Sequence, residues 1–380
     1  METTATIRNI AEEQTTTQKR RLDYIDIAKG MLILAVVFSH AWFANSDILG
    51  DFIPFSMPAF FFLSGYTYKT GRGYLKNIGK RALGLLVPYV LFGAFCTLLY
   101  PAYVTLSKVP AWQQMGAKAI WLAVAKTDAI NMLMATPMWF LMALFTASII
   151  FFALADKLRG SLKWTVIVSA VLVATALAID VLKKQNLWWF VDFAPYGAAM
   201  MFIGSYCGEK KLFSRLSAKT VVIGLVCLAA AEALNRLFPG SGKTSIVQYI
   251  DPKKWYGVLT AFCIAVTGSV GTLCVARLVQ QVPVLRSVFK WLGRNSLWIL
   301  CIHYTAIMLI ELALYNAGAL TNSIMDIVAQ QIYGYGNASD TALDIVLKVT
   351  VAIASIGISA IYALIHNKVK RAIKSRRAAV

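Results

Sequence analysis

In a chain of 380 residues, 58% are hydrophobic and only 14% charged, against roughly 25% charged in an average soluble protein. Repeated apolar stretches of spanning length exclude a string of water-soluble domains and predict one all-α, polytopic membrane domain of about ten transmembrane helices. The net charge of +19 invites a nucleic-acid reading, but Lys and Arg fall in short clusters between apolar runs, with no basic groove and no aromatic-interleaved platform, which excludes nucleic acid as a partner.

Residues 1–21 are polar and end in Lys19-Arg20-Arg21, a cytoplasmic N-terminal segment. The apolar run that follows is too long, and too interrupted by charge, for a cleaved signal peptide, so it reads as a retained first span. Successive runs fall near 25–44, 52–68, 82–104, 137–155, 164–182, 190–207, 220–238, 256–276, 295–315 and 342–366. Residues 22–367 make the membrane domain, and 368–380 a basic cytoplasmic tail expected to be a surface-lying helical extension. With the N-terminus inside, the cytoplasmic segments carry 26 of the 37 basic residues, including Lys69, Arg72, Lys76, Lys80 and Arg81 after the second run. That bias predicts both termini inside, in a multi-pass protein of the cytoplasmic (inner) membrane, since one slipped span would scramble it. The stretch 107–136, with Lys118, Lys126 and Asp128 in its middle and Pro137 after it, reads as an outer-face loop with an amphipathic or re-entrant segment. Tryptophans 112, 121, 139, 188, 189 and 255 cluster near the expected outer boundaries, where interface anchoring accounts for most of them. No internal repeat is evident, which weakens a transporter reading.

The first run holds two ionisable side chains, Lys29 and His40, eleven residues apart. Eleven helical steps make three turns plus about 20°, so both share one stripe, with an axial rise of about 16 Å. An ionisable group inside a span costs about 2.5–3.5 kcal/mol on insertion scales and is a functional-site hypothesis by default. Two on one stripe, at different depths, describe a path from one membrane face toward the middle. Histidine is the ordinary general base near neutral pH and costs less to bury than a carboxylate, which makes His40 the leading catalytic candidate. His303, inside the ninth run, is the second; Ser296 lies seven residues before it on the same face, and a hydrogen-bonding stripe is the plainer reading there.

Asp26 precedes Lys29 by three residues, so the two can pair on one helix face. In the sharper reading Lys29 holds an anion and Asp26 sets its rotamer; in the plainer one the pair makes a charge tolerable at the membrane edge. Arg81, with Lys80 and Lys76, begins the third run and offers a second phosphate contact, although orientation alone accounts for such residues as well. Glu311, near the outer end of the ninth run, and Asp47, seven residues past His40, are candidates to orient an incoming hydroxyl. His366 reads as an interface residue.

The six cysteines scatter through apolar runs without metal-ligand or disulfide spacing, so packing is their expected role and no metal is expected. Gly240 to Ser245 contains Gly-Lys-Thr, but a P-loop needs glycine where Leu237 stands. Asn337-Ala338-Ser339 matches a glycosylation sequon on three residues only.

Taken together, these residues resemble the acyltransferase 3 family of integral membrane acyltransferases. The block from Arg21 through Asp26, Lys29 and Gly30 to His40 is similar to that family's first helix, a basic residue followed after ten residues by the catalytic histidine. Ser56-Met57-Pro58 with Phe60-Phe61-Phe62-Leu63-Ser64-Gly65-Tyr66 resembles the second helix, and Arg81 with Pro88-Tyr89 the start of the third. Pro137-Met138-Trp139-Phe140-Leu141 and Gly293-Arg294-Asn295-Ser296-Leu297 leading to His303 resemble later blocks. Many members carry a second arginine where this chain has Leu85, so the coenzyme A contacts implied for that loop rest here on Arg81, Lys80 and Lys76.

The resemblance implies transfer of an acyl group, usually acetyl from acetyl-CoA as co-substrate, to a hydroxyl of a cell-envelope carbohydrate. Acyl-CoA, the carbohydrate acceptor and the bilayer are then the expected partners. The coenzyme phosphates would rest against Lys29 and Arg81, and the thioester arm would follow the Lys29–His40 stripe. His40 would act as general base or carry the acyl group itself. Two other classes compete. An exporter or flippase for a lipid-linked saccharide would use Lys29, His40, Lys348 and Glu311 as a substrate or proton path. A non-catalytic sensor or scaffold needs no aligned Lys/His pair.

Overall fold

In the computed structural model the described residues are 22–41, 55–107, 133–182, 187–238, 256–318 and 342–378, with the single positions 116, 118, 121 and 125. Among them are eleven α-helices, two 3-10 turns and no strand. The helices are α1 Asp23–Ala41, α2 Ser56–Tyr66, α3 Tyr74–Ser107, α4 Trp139–Leu154, α5 Leu162–Leu182 and α6 Ala194–Glu209. They continue with α7 Ala218–Leu237, α8 Tyr256–Val279, α9 Pro283–Arg294, α10 Ser296–Asn316 and α11 Ala342–Ala378.

Every apolar run has become a helix, and seven of the helices are long and apolar enough to cross a membrane. The all-α, multi-pass class follows. The other three, α2, α4 and α6, have 11, 16 and 16 residues. At 1.5 Å per residue they span about 16–24 Å, short of a hydrocarbon layer about 30 Å thick. Burial sorts the long helices into two shells. The central α1, α8 and α10 each have 61% of an apolar window buried inside the protein, whereas α3 and α11 have 28% and α5 and α7 22%. The second set therefore presents most of its apolar surface outward, as lipid-facing helices do.

Two crossings bring backbones together at glycines. On α6, Gly204 and Gly208 lie against the carbonyls of Phe62 and Tyr66, while Gly65 of α2 lies against that of Met201. This is the small-xxx-small arrangement that lets membrane helices approach without side chains between them. Gly30 of α1 and Gly293 of α9 do the same: a Cβ would run into the carbonyl oxygen of Phe289 and of Asp26 respectively. The helix α9 is absent from the sequence expectation, which treats its arginines and lysine as part of a connector. Pro283 starts it, where a missing N–H costs nothing. Leu292 and Gly293 are buried while Val284 and Val288 face outward.

One other boundary differs from expectation. α3 begins at Tyr74, eight residues before the apolar run, and so carries Lys76, Lys80 and Arg81 on its first turns. α11 runs unbroken for 37 residues to Ala378, so that the basic tail is helical from Lys368 to there, about 56 Å of helix in all.

Candidate active site

A cavity of about 540 Å³ opens between α1, α2, α3, α4 and α10, within the usual range for small-molecule sites. Five basic side chains line it: Lys29 from α1, Lys69 and Arg72 from the loop after α2, and Lys80 and Arg81 from α3. No carboxylate is among its described lining residues. Ser64, Thr67, Tyr68, Asn77 and Ser296 add polar groups at the same level. Farther along each helix the lining turns apolar, with Ile33, Phe60, Leu85, Phe140 and Leu300. The cavity thus grades from a basic mouth to an apolar neck.

Arg81 is fixed rather than loose. Its Nε donates to Ser148 Oγ at 3.1 Å, a terminal nitrogen donates to Ser64 Oγ, and the guanidinium carbon lies 5.8 Å from the Phe152 ring centroid. Three helices therefore hold one guanidinium, whose remaining donors have a fixed fork geometry suited to a phosphate.

Beyond the neck stand the two histidines. The His40 and His303 ring centroids are 5.3 Å apart, and Tyr304 meets His40 edge-on at 5.2 Å. His303 is wholly buried and His40 half-buried. The Nδ1 of His303 is 2.7 Å from the Ile299 carbonyl oxygen. A carbonyl can only accept, so Nδ1 carries the hydrogen of the neutral ring and Nε2 carries the lone pair. That Nε2 is buried without a hydrogen-bond partner among the described residues, a state that costs about 1–3 kcal/mol and calls for a reason. Two residues further on, Thr305 Oγ1 donates to the Met134 carbonyl at 2.7 Å, and Cys96 Sγ stands 3.4 Å from Thr305 Oγ1. These contacts latch the 3-10 turn Leu133–Met138 to α10 and α3.

The family model for an acyltransferase domain, acyltransferase 3, matches residues 22–366, a span that contains this entire constellation. The chain belongs to the acyltransferase 3 family. No curated protein and no solved structure matches it. Family membership and seven spanning helices together make it a multi-pass membrane protein of an acyltransferase family.

Within this acyltransferase frame the sequence-predicted residues divide. Lys29, Lys80, Arg81 and Ser296 line one cavity; Lys76 is exposed on α3 outside its lining. Neither histidine lines the cavity: its wall reaches Leu300, three residues short of His303, and Ile33, seven residues short of His40. Asp26, only 2% exposed, takes a hydrogen bond at 3.2 Å from Arg294 Nε of α9, and Asp23 pairs with Lys290 at 2.7 Å. Glu311 is buried eight residues past His303 on α10. Asp47 lies outside the described residues, as do the Gly240 to Ser245 hexapeptide, the Asn337 sequon and most of 107–136. His366 meets Trp298 at 4.3 Å between ring centroids, the planes tilted by 49°. Among the described residues no group of three His, Cys, Asp or Glu side chains is arranged to hold a metal.

Sequence reasoning missed Lys69, Arg72, Ser64, Ser148 and Phe152. A signal for the first two was present: between positions 69 and 81 there are five basic residues and no acid. Ser148 and Phe152 sit in an apolar run, and only the packing of α3 on α4 brings them to Arg81.

Proposed function

We propose that this acyltransferase moves a short acyl group, in the simplest case acetyl, from a cytoplasmic coenzyme A thioester to a hydroxyl of a cell-envelope carbohydrate. The observation that carries the reading is the graded cavity, with five cations and no carboxylate in its described lining at one end and an apolar neck at the other, whose Ile33 and Leu300 stand on the helices that carry His40 and His303. A polyanionic nucleotide matches the first, and a pantetheine arm with its thioester matches the second. The positive-inside bias faces the basic mouth to the cytoplasm, where acyl-CoA resides, and sets both termini there, in the inner membrane.

In the reaction Lys29 and Arg81 hold phosphate oxygens, and the thioester passes the neck at Ile33, Phe140 and Leu300. His40, as general base, removes the proton of the acceptor hydroxyl as its oxygen attacks the thioester carbon; the carbon–sulfur bond breaks and the thiolate leaves, taking up the proton. A two-step variant in which a ring nitrogen of His40 first carries the acyl group uses the same placement. The protein in liposomes, given acetyl-CoA and an envelope-glycan acceptor, should release free thiol in step with O-acetyl ester on the glycan, read by mass spectrometry. Glycan movement without thiol release would instead identify an exporter. Comparing envelope O-acylation in a deletion strain and its parent then identifies the acceptor.

A further inference from the structure

His303 is fully buried and cannot meet a substrate arriving at the half-buried His40, yet its geometry is that of a prepared acceptor. Its Nδ1–H is committed to the Ile299 carbonyl, one turn back on its own helix. That leaves Nε2 as a lone pair, buried and unpartnered among the described residues, on a ring whose aromatic neighbour across the α1–α10 contact is His40. A neutral imidazole can serve as a base only if one nitrogen holds a hydrogen and the other faces the substrate, so something must fix which is which.

We propose that His40 and His303 form a dyad in which His303 is the positioning residue: a turn of the His40 ring, 5.3 Å away between centroids, brings its N–H to the Nε2 lone pair, which has no partner among the described residues as the structure stands. This rests on the acyl-transfer reading above and adds a division of labour to it. The other nitrogen of His40 is then the lone pair that meets the acceptor hydroxyl. During transfer the hydroxyl proton moves to that nitrogen, the acceptor oxygen bonds the acyl carbon, the carbon–sulfur bond breaks, and the proton passes on to the departing thiolate. His303 neither gains nor loses a proton over the cycle. It keeps the tautomer of His40 and stabilises the imidazolium while it exists, as a buried acceptor behind a catalytic histidine does in other acyl transferases of the hydrolytic kind.

Among the described residues the titratable neighbours are Tyr304 and Cys301 on α10 and Cys96 on α3, with Tyr362 and His366 of α11 placed around Trp298, more than a turn away. The 3-10 turn Leu133–Met138, packed on α10, has no titratable side chain. Where α2 and α8 contact α1 they bring Tyr66 and Arg277 to Tyr24, near the start of α1. Among the described residues formal charges stand at Lys29 and Arg81, and at the Asp23–Lys290 and Asp26–Arg294 pairs of α1 and α9, on one side, and at Glu311 on the other.

The test compares His303→Leu with His303→Gln, whose side-chain carbonyl can still accept. His303→Leu should lower kcat about 100-fold, within the range for acid–base assistance, with KM for acetyl-CoA within about twofold of wild type, because the phosphate site is untouched. His303→Gln should recover at least about tenfold of that loss. Independently of any acyl-CoA activity, carbethoxylation of His40 by diethyl pyrocarbonate, followed by mass spectrometry against pH, reports its neutral fraction. Losing the acceptor removes stabilisation of the imidazolium, so the rise in reactivity should move to lower pH in His303→Leu and lie between the two in His303→Gln. An unshifted carbethoxylation profile in His303→Leu, in protein that keeps its wild-type melting temperature, overturns the dyad whatever the substrate is. Wild-type kcat in His303→Leu overturns it too. Absence of thiol release from wild-type protein alongside the expected carbethoxylation shifts would remove the acyl-transfer reading and leave the dyad standing.

Discussion

At the scale of single residues the site is a set of cations whose neighbours decide what each can do. Arg81 is clamped by Ser64 and Ser148 over Phe152, so its loss removes an oriented, charge-assisted contact worth about 1.5–3 kcal/mol. Arg81→Ala should therefore raise KM for acyl-CoA roughly 10- to 100-fold at little cost to kcat. Steady-state kinetics in liposomes checks this, and an unchanged KM would return Arg81 to an orienting role only. Ser148→Ala should produce a smaller rise in the same direction, since Ser64 still holds the group. His40→Ala should abolish thiol release while the protein inserts and melts as wild type. Lys29, Arg81 and Ser296 were legible because an ionisable or polar group in or beside an apolar run stands out against its surroundings. Ser148 was not, because a lone serine in a helix such as α4 commonly bonds back to its own turn, as Ser148 also does to Leu144.

Among the elements, the glycine crossings and the neck are the places where packing is tightest. Gly30 and Gly293 let α9 press its backbone onto α1, so Gly30→Val should destabilise the protein by at least about 1–3 kcal/mol. Thermal unfolding in detergent would show it, and a melting temperature equal to wild type would mean that α9 can shift freely. The neck offers a cleaner separation of binding from chemistry. Leu300→Trp should block passage of the thioester arm, lowering kcat sharply, yet leave inhibition by adenosine 3′,5′-bisphosphate, which needs only the basic mouth, near its wild-type strength. The positions of the helices were largely readable from hydropathy; α9 was not. Its Arg286, Lys290 and Arg294 masked an amphipathic pattern, and the ion pairs that seat it on Asp23 and Asp26 join residues far apart in the chain.

Over the whole molecule, charge distribution and helix length act together. The cavity mouth is lined by exposed Lys69, Arg72 and Lys80 as well as the half-buried Lys29 and Arg81. Exposed charges are screened within about 10 Å at 0.1 M salt, so KM for acyl-CoA should climb with ionic strength, and less steeply in Arg81→Ala; a salt-independent KM would argue against a phosphate mouth. Ten apolar runs were evident in the sequence, but hydropathy reports composition and not length of helix, and so could not foresee that α2, α4 and α6 stop short. Those three pack on one another, and α2 and α4 border the cavity. A bilayer meeting helices about 16–24 Å long must thin or be replaced by protein there. On the proposed reaction, the gap between donor and recipient compartments is then narrowest beside the cavity, where an acyl fragment would change sides without its nucleotide carrier ever leaving the aqueous phase.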